Sequence, residues 1–122
     1  MVDELNVKEK MPTSGSVKKV VIFLHGYGAD GADLLSIGDV LSEHLPNTLF
    51  VAPDAPRKCQ MSPFGFQWFS IPEIDGTSSN SAMKELDEMA RLGNKWIDQL
   101  IIKISICSDS KTSYLVVLVA YS

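Results

Sequence analysis

The amino-acid sequence predicts an α/β fold with a mostly parallel sheet and flanking helices, and three observations carry that reading. Residues 20–24 (VVIFL) and 48–52 (TLFVA) are short apolar runs rich in β-branched residues, the composition of strands covered on both faces. Between them lies a segment with apolar residues at helical spacing, so strand, helix and strand form one βαβ unit with a right-handed crossover. A second amphipathic segment and a third apolar run at residues 114–121 then repeat the alternation.

Taken in order, residues 1–17 are mostly polar and carry Pro12, Ser14, Gly15 and Ser16. They read as a lead-in with a short edge strand around residues 5–7, and residues 18–122 as the body of one domain. The first strand runs straight into a glycine-rich turn, His25-Gly26-Tyr27-Gly28-Ala29-Asp30-Gly31. Leu34, Leu35, Val40, Leu41 and Leu45 follow at helical spacing, and Pro46-Asn47 closes that helix. The second strand ends at Pro53. Residues 53–80 hold Pro53, Pro56, Gly65, Pro63, Pro72 and Gly76, which predicts loop rather than a regular element. A loop this long in a compact domain is usually functional, and its middle, residues 64–69 (FGFQWF), is too aromatic for a solvated spacer. Ser79, Asn80 and Ser81 offer N-caps for a long helix on which Met83, Leu86, Met89, Ala90, Trp96, Leu100 and Ile101 recur on one broad face.

Composition narrows the function classes. Hydrophobic residues make up 45% and charged residues 21%, ordinary for a soluble globular domain, and the formal charge is −4. Without a basic stripe there is no surface for nucleic acid. Cys59 and Cys107 lack CxxC spacing and histidine neighbours, so no metal is expected; two idle thiols or one disulfide remain open. The acidic N-terminus is unlike a signal peptide, and the longest apolar run is too short to span a bilayer. The cytoplasm is the simplest compartment.

The glycine turn admits two readings. Gly26, Gly28 and Gly31 fit GxGxxG between a strand and a helix, with Asp54 near the end of the next strand where a ribose-binding acid belongs. This is the pattern of a mononucleotide-binding half-domain. Alternatively, a strand ending in Leu-His-Gly builds a loop that aims a backbone N–H at a developing oxyanion, with glycines letting the backbone approach the reacting carbonyl. The Tyr27 amide is then the donor, and His25 braces the loop rather than acting as a base.

Residues 19–103 resemble the phospholipase/carboxylesterase family of α/β-hydrolases, which includes the acyl-protein thioesterases. The resemblance rests on three blocks in order: residues 21–35 (VIFLHGYGADGADLL), residues 50–56 (FVAPDAP) and residues 67–69 (QWF). It implies hydrolysis of carboxylic esters or thioesters by Ser-His-Asp chemistry, without a cofactor, on a small acyl substrate. Position by position, Tyr27 falls on the oxyanion amide flanked by Gly26 and Gly28, and Trp68 and Phe69 fall near the acyl-binding cleft; packing alone is the other reading of those two aromatics.

The family's GxSxG elbow is absent, because no two of the eight glycines lie four apart with serine between. Residues 118–122 (LVAYS) can be laid on the strand leading to that elbow, which places Ser122 at the nucleophile position; an unrelated tail is the other reading. Only His25 and His44 could serve as a base, and His44 reads as a solvated helical residue. The expectation is therefore a truncated α/β-hydrolase, the N-terminal half of the domain, inactive alone. The competing expectations are an interaction protein that pairs through the sheet edge at residues 114–121, and the nucleotide-binding half-domain.

Overall fold

The computed structural model describes residues 5–107 and 113–118. Strand β1 (Val7–Lys10) is followed by β2 (Lys19–Leu24), helix α1 (Gly31–Leu41), β3 (Thr48–Pro53), the short β4 (Arg57–Lys58) and β5 (Phe66–Gln67). Helix α2 (Pro72–Asp75), the long α3 (Ser79–Cys107) and β6 (Ser113–Leu118) complete the chain. The main sheet has the order β1-β3-β2-β6. β2 lies parallel to β3 on one side and to β6 on the other, and β1 closes the sheet antiparallel to β3. The strand expected around residues 5–7 thus sits at residues 7–10, so part of the polar lead-in belongs to the sheet.

The alternation of side chains along β2 and β3 explains why both runs are apolar throughout. Val20 and Ile22 with Leu49 and Val51 face α3, where Trp96 is buried against them and Ile97 and Leu100 pack around it. Val21 and Phe23 with Phe50 and Ala52 face α1 and Leu34, and the Phe23 and Phe50 rings stack at 6.0 Å. Each such buried side chain contributes roughly 1.5–3 kcal/mol of apolar transfer. Two-sided burial is what a parallel sheet demands of its central strands.

Three expectations need correction. Val40, counted on the apolar row of α1, is exposed, because the face of α1 on the sheet is Gly31, Leu34 and Gly38. Gly38 touches the Phe50 ring, so two glycines draw the helix close where a hydrophobicity pattern would look for larger residues. On α3, Met83 is 59% exposed and Leu86 is partly so, while Ala82 of the same turn is the buried one. Finally, residues 53–80 are not plain loop. β4 and β5 form an antiparallel hairpin, and α2 is a single turn ended by Gly76.

The cap of α3 is one residue earlier than the expected candidates. The Ser78 hydroxyl accepts the Ser81 N–H at 3.2 Å, the bond from N-cap to third helical residue. Arg57 of β4 then ties the hairpin to α3 through Glu85 and Glu88, at 2.6 and 3.0 Å. Among the described residues no helix is long and apolar enough to cross a membrane.

Candidate active site

The turn at residues 25–31 leaves the carboxyl end of β2 between two parallel neighbours. His25 is 2% exposed. Its Nε2 accepts the Ala55 N–H at 2.9 Å, and its Nδ1 lies 2.7 Å from the Gly26 carbonyl oxygen. A backbone N–H can only donate and a carbonyl can only accept, so these partners assign the proton to Nδ1. Both nitrogens are thereby engaged, and neither is free to take a proton from a serine. The ring is a brace, tilted against Trp68 with the ring centroids 5.3 Å apart.

That brace determines where an amide points. The Gly26 carbonyl and the Tyr27 N–H belong to one planar trans peptide, so they face opposite ways. With the carbonyl held by the His25 ring, the Tyr27 N–H points away from that ring. Among the described residues no acceptor takes it. The preceding carbonyl, of His25 itself, accepts the Trp68 indole N–H at 2.8 Å. The Tyr27 hydroxyl donates to Asp75 Oδ2 at 3.1 Å. Burial, with Cys59 and Asp75 beside the ring, pushes the Tyr27 phenol well above its ordinary value. Hydrogen bonds from Thr77, then from Ile71 and Tyr27, outweigh desolvation and hold the Asp75 carboxyl down to about 2 from 3.8.

The hairpin seals the turn from the other side. Gly28 N–H donates to the Phe66 carbonyl and Phe66 N–H to the Ala29 carbonyl, both at 2.9 Å. Gly65 lies so close that a Cβ there would fall on the Gly28 carbonyl. Gln67, 2% exposed, accepts the Gln60 N–H and donates to Ser70, whose hydroxyl donates to Glu85. The buried polar groups of residues 66–70 are thus engaged with each other and with α3.

Beside the turn, an apolar groove of about 340 Å³ runs between Leu24, Trp68, Phe69 and the α3 residues Leu86, Met89 and Trp96. Trp68 and Phe69, expected near an acyl cleft, both line it. The contribution of α3 was not foreseen. Leu86 and Met89 read as plain core positions, and Gly93, which helps open the groove, carried no signal beyond its poor fit to a helix.

The acid and the helix start on which the nucleotide reading depends are already engaged. Asp54 is buried and accepts the Gly31 N–H at 2.7 Å and, on its other oxygen, Asn6 and Lys8 at 3.2 Å. The Asp33 N–H at the start of α1 is taken by the Asp30 carboxylate. Carboxylates already fill the helix N-terminus where a pyrophosphate would sit. Gly31 is required instead by its contact with the Ala52 carbonyl of β3.

Of the remaining candidates, His44 is exposed in the turn after α1 rather than on it. Cys59 is a free, buried thiol. Ser122 lies outside the described residues. β6 does run parallel to β2, with Leu118 paired to Leu24, so the carboxyl ends of the two strands lie side by side at the turn.

Comparison with known proteins bears on family and fold. The family model described as Phospholipase/Carboxylesterase matches residues 6–112. A crystal structure of esterase PE8 superposes with a TM-score of 0.75 at 27% identity, covering 93% of this chain and 52% of that one. Acyl-protein thioesterase 2 of Zea mays superposes with a TM-score of 0.55 at 21% identity, covering 94% and 46%, and bears on the fold alone. The chain spans about half the length of these solved structures.

Proposed function

The chain belongs to the phospholipase/carboxylesterase family, and from that premise we propose that it supplies the oxyanion turn and the acyl-binding wall of a carboxylic ester or thioester hydrolase. The observation that carries this is the Gly26–Tyr27 peptide: its carbonyl is held by the His25 ring, and among the described residues its N–H has no acceptor, while an apolar groove opens at Leu24 and Trp68, the residues next to and packed on His25. An oxyanion donor has to be oriented before the charge develops, so that no reorganisation is needed at the moment of reaction. The groove matches the other end of such a substrate, a hydrocarbon chain with no polar partner.

These 122 residues supply no serine in a GxSxG elbow and no free buried histidine. Catalysis by acyl transfer needs an activated nucleophile and its base, and the loss of both leaves little beyond binding effects. We therefore expect no turnover from this sequence by itself. A fluorophosphonate probe, followed by peptide mapping, tests this directly. Absence of label is expected; label on any serine, Ser122 included, would overturn the claim of inactivity. The acyl wall is tested separately by titrating the chain with decanoate and following tryptophan emission, since Trp68 and Trp96 both line the groove. A saturable change is expected, and none at millimolar ligand counts against the acyl assignment.

A second reading has one observation in its favour. Among the described residues β6 pairs with β2 alone, leaving a strand edge of the kind that recruits another chain. Self-association through it predicts dimers in sizing with light scattering; a monodisperse monomer removes that reading.

A further inference from the structure

Tyr27 stands between two glycines, and this raises a physical difficulty for the site just proposed. Gly26 and Gly28 are the most pliable residues the chain can place on either side of a peptide, and Gly28 adopts φ +82°, a conformation other residues rarely take. An amide in such a setting should wander, whereas an oxyanion donor has to stay put. Upstream, the His25 ring and the Trp68 indole fix the carbonyls of Gly26 and His25. Downstream, the Gly28 N–H is bonded to the Phe66 carbonyl, and among the described residues the side chain that further anchors the peptide is that of Tyr27 itself, whose hydroxyl ends on Asp75, 48 residues further along the chain, with the Cys59 thiol beside it.

We infer that Asp75 is a positioning residue for the Tyr27 amide, acting through the Tyr27 hydroxyl. The carboxylate is well placed for that task. Oδ2 accepts the Ile71 N–H as well as the Tyr27 hydroxyl, and Oδ1 accepts the Thr77 N–H, each backbone bond at 3.0 Å. It is therefore locked onto its own single-turn helix before it meets the tyrosine, and α2 is closed on both sides of it. The lowered pKa of Asp75 is consistent with this, because hydrogen bonds from Thr77 first, then from Ile71 and Tyr27, favour the ionised form. The clamp gives residues 71–77 a purpose in the site. They hold the Tyr27 side chain, while the His25 ring holds the Gly26 carbonyl.

The inference rests on the oxyanion reading, but its test does not need turnover. Backbone ¹⁵N relaxation would be measured on the 122-residue chain and on the variants Tyr27→Phe, Asp75→Ala and the pair together. In the unaltered chain the Tyr27 N–H should have the order parameter of a rigid backbone, about 0.85. In either single variant it should fall below about 0.6, the flexible range, while β2 and β3 amides keep their values. The double variant should be no more mobile than the singles, because both remove the same bond. Should Asp75→Ala fail to fold, Tyr27→Phe, which deletes one oxygen, carries the test alone. Unchanged order at Tyr27 in the variants would overturn the inference, and so would additive loosening in the double. The hydrolase reading stands or falls separately, on the probe labelling and the decanoate titration.

Discussion

Replacing His25 by alanine is the sharpest perturbation of the braced turn, and its size follows from what the ring touches. The substitution removes the bond to the Gly26 carbonyl, removes the acceptor of the Ala55 N–H, and takes away the ring against Trp68. Ala55 is only 3% exposed, so water reaches its N–H poorly. A buried donor left unpaired costs about 1–3 kcal/mol, and an ordinary hydrogen bond contributes about 1 kcal/mol net. The tilted ring pair adds about 0.5–1.5 kcal/mol beyond area burial. Together these give a loss of about 2.5–5.5 kcal/mol, against a total stability of about 5–15 kcal/mol for a domain. Urea unfolding followed by tryptophan emission reads this as a lower midpoint with the slope unchanged. A loss below about 1 kcal/mol would refute the brace, because a solvated histidine is the kind that can be deleted so cheaply. Retained order at Tyr27 in the variant would refute it too, since the Gly26 carbonyl would then keep only the longer bond from the Ala29 N–H, at 3.2 Å.

Gly65→Ala should destabilise the chain by about 1–3 kcal/mol through overpacking, because the new methyl falls on the Gly28 carbonyl; a melting temperature equal to that of the unaltered chain would contradict the close approach. Trp68→Phe keeps the groove wall but deletes the donor to His25, so decanoate binding should persist while the His25 and Tyr27 amide resonances shift. Asp75 has a carboxyl lowered to about 2 from 3.8, so the stability it contributes is complete above pH 3.8 and disappears as pH falls through the folded value. An acid titration of the Asp75→Asn variant should accordingly lack part of the loss between pH 3.8 and about 2. Tyr27 behaves with the opposite sign: its raised phenol is neutral in the fold, and the stability this contributes is present below pH 10 and lost as pH rises above it. Absorbance at alkaline pH should show one tyrosine ionising late, and Tyr27→Phe should abolish that phase.

The elements legible in the sequence were those with a local signature. β2 and β3 announced themselves by unbroken β-branched runs, the glycine turn by its position between strand and helix, and the family by three blocks that include His25, Tyr27 and Trp68. The misreadings share a cause. Val40 and Met83 fit a helical period yet face solvent, and the glycines that bring α1 onto β3 do not register in any hydrophobicity pattern. The hairpin of two-residue strands is too short for periodicity to detect, since pairing to the turn, not composition, defines it.

What the sequence by itself determined is the order of strands and helices, the parallel character of the sheet's centre, and the resemblance that points to ester chemistry. These depend on residues close in the chain, whose spacing decides which faces are apolar. What only the tertiary structure decided is the use each polar group is put to. Asp54 is spent on the start of α1 and on Lys8, not on a ribose. The His25 ring meets Ala55 across 30 residues, and its carbonyl meets Trp68 across 43. Tyr27 reaches Asp75 across 48. A hydrogen bond is satisfied by geometry within about 3 Å and leaves no mark on the residues between its partners, so no reading of local pattern can assign it.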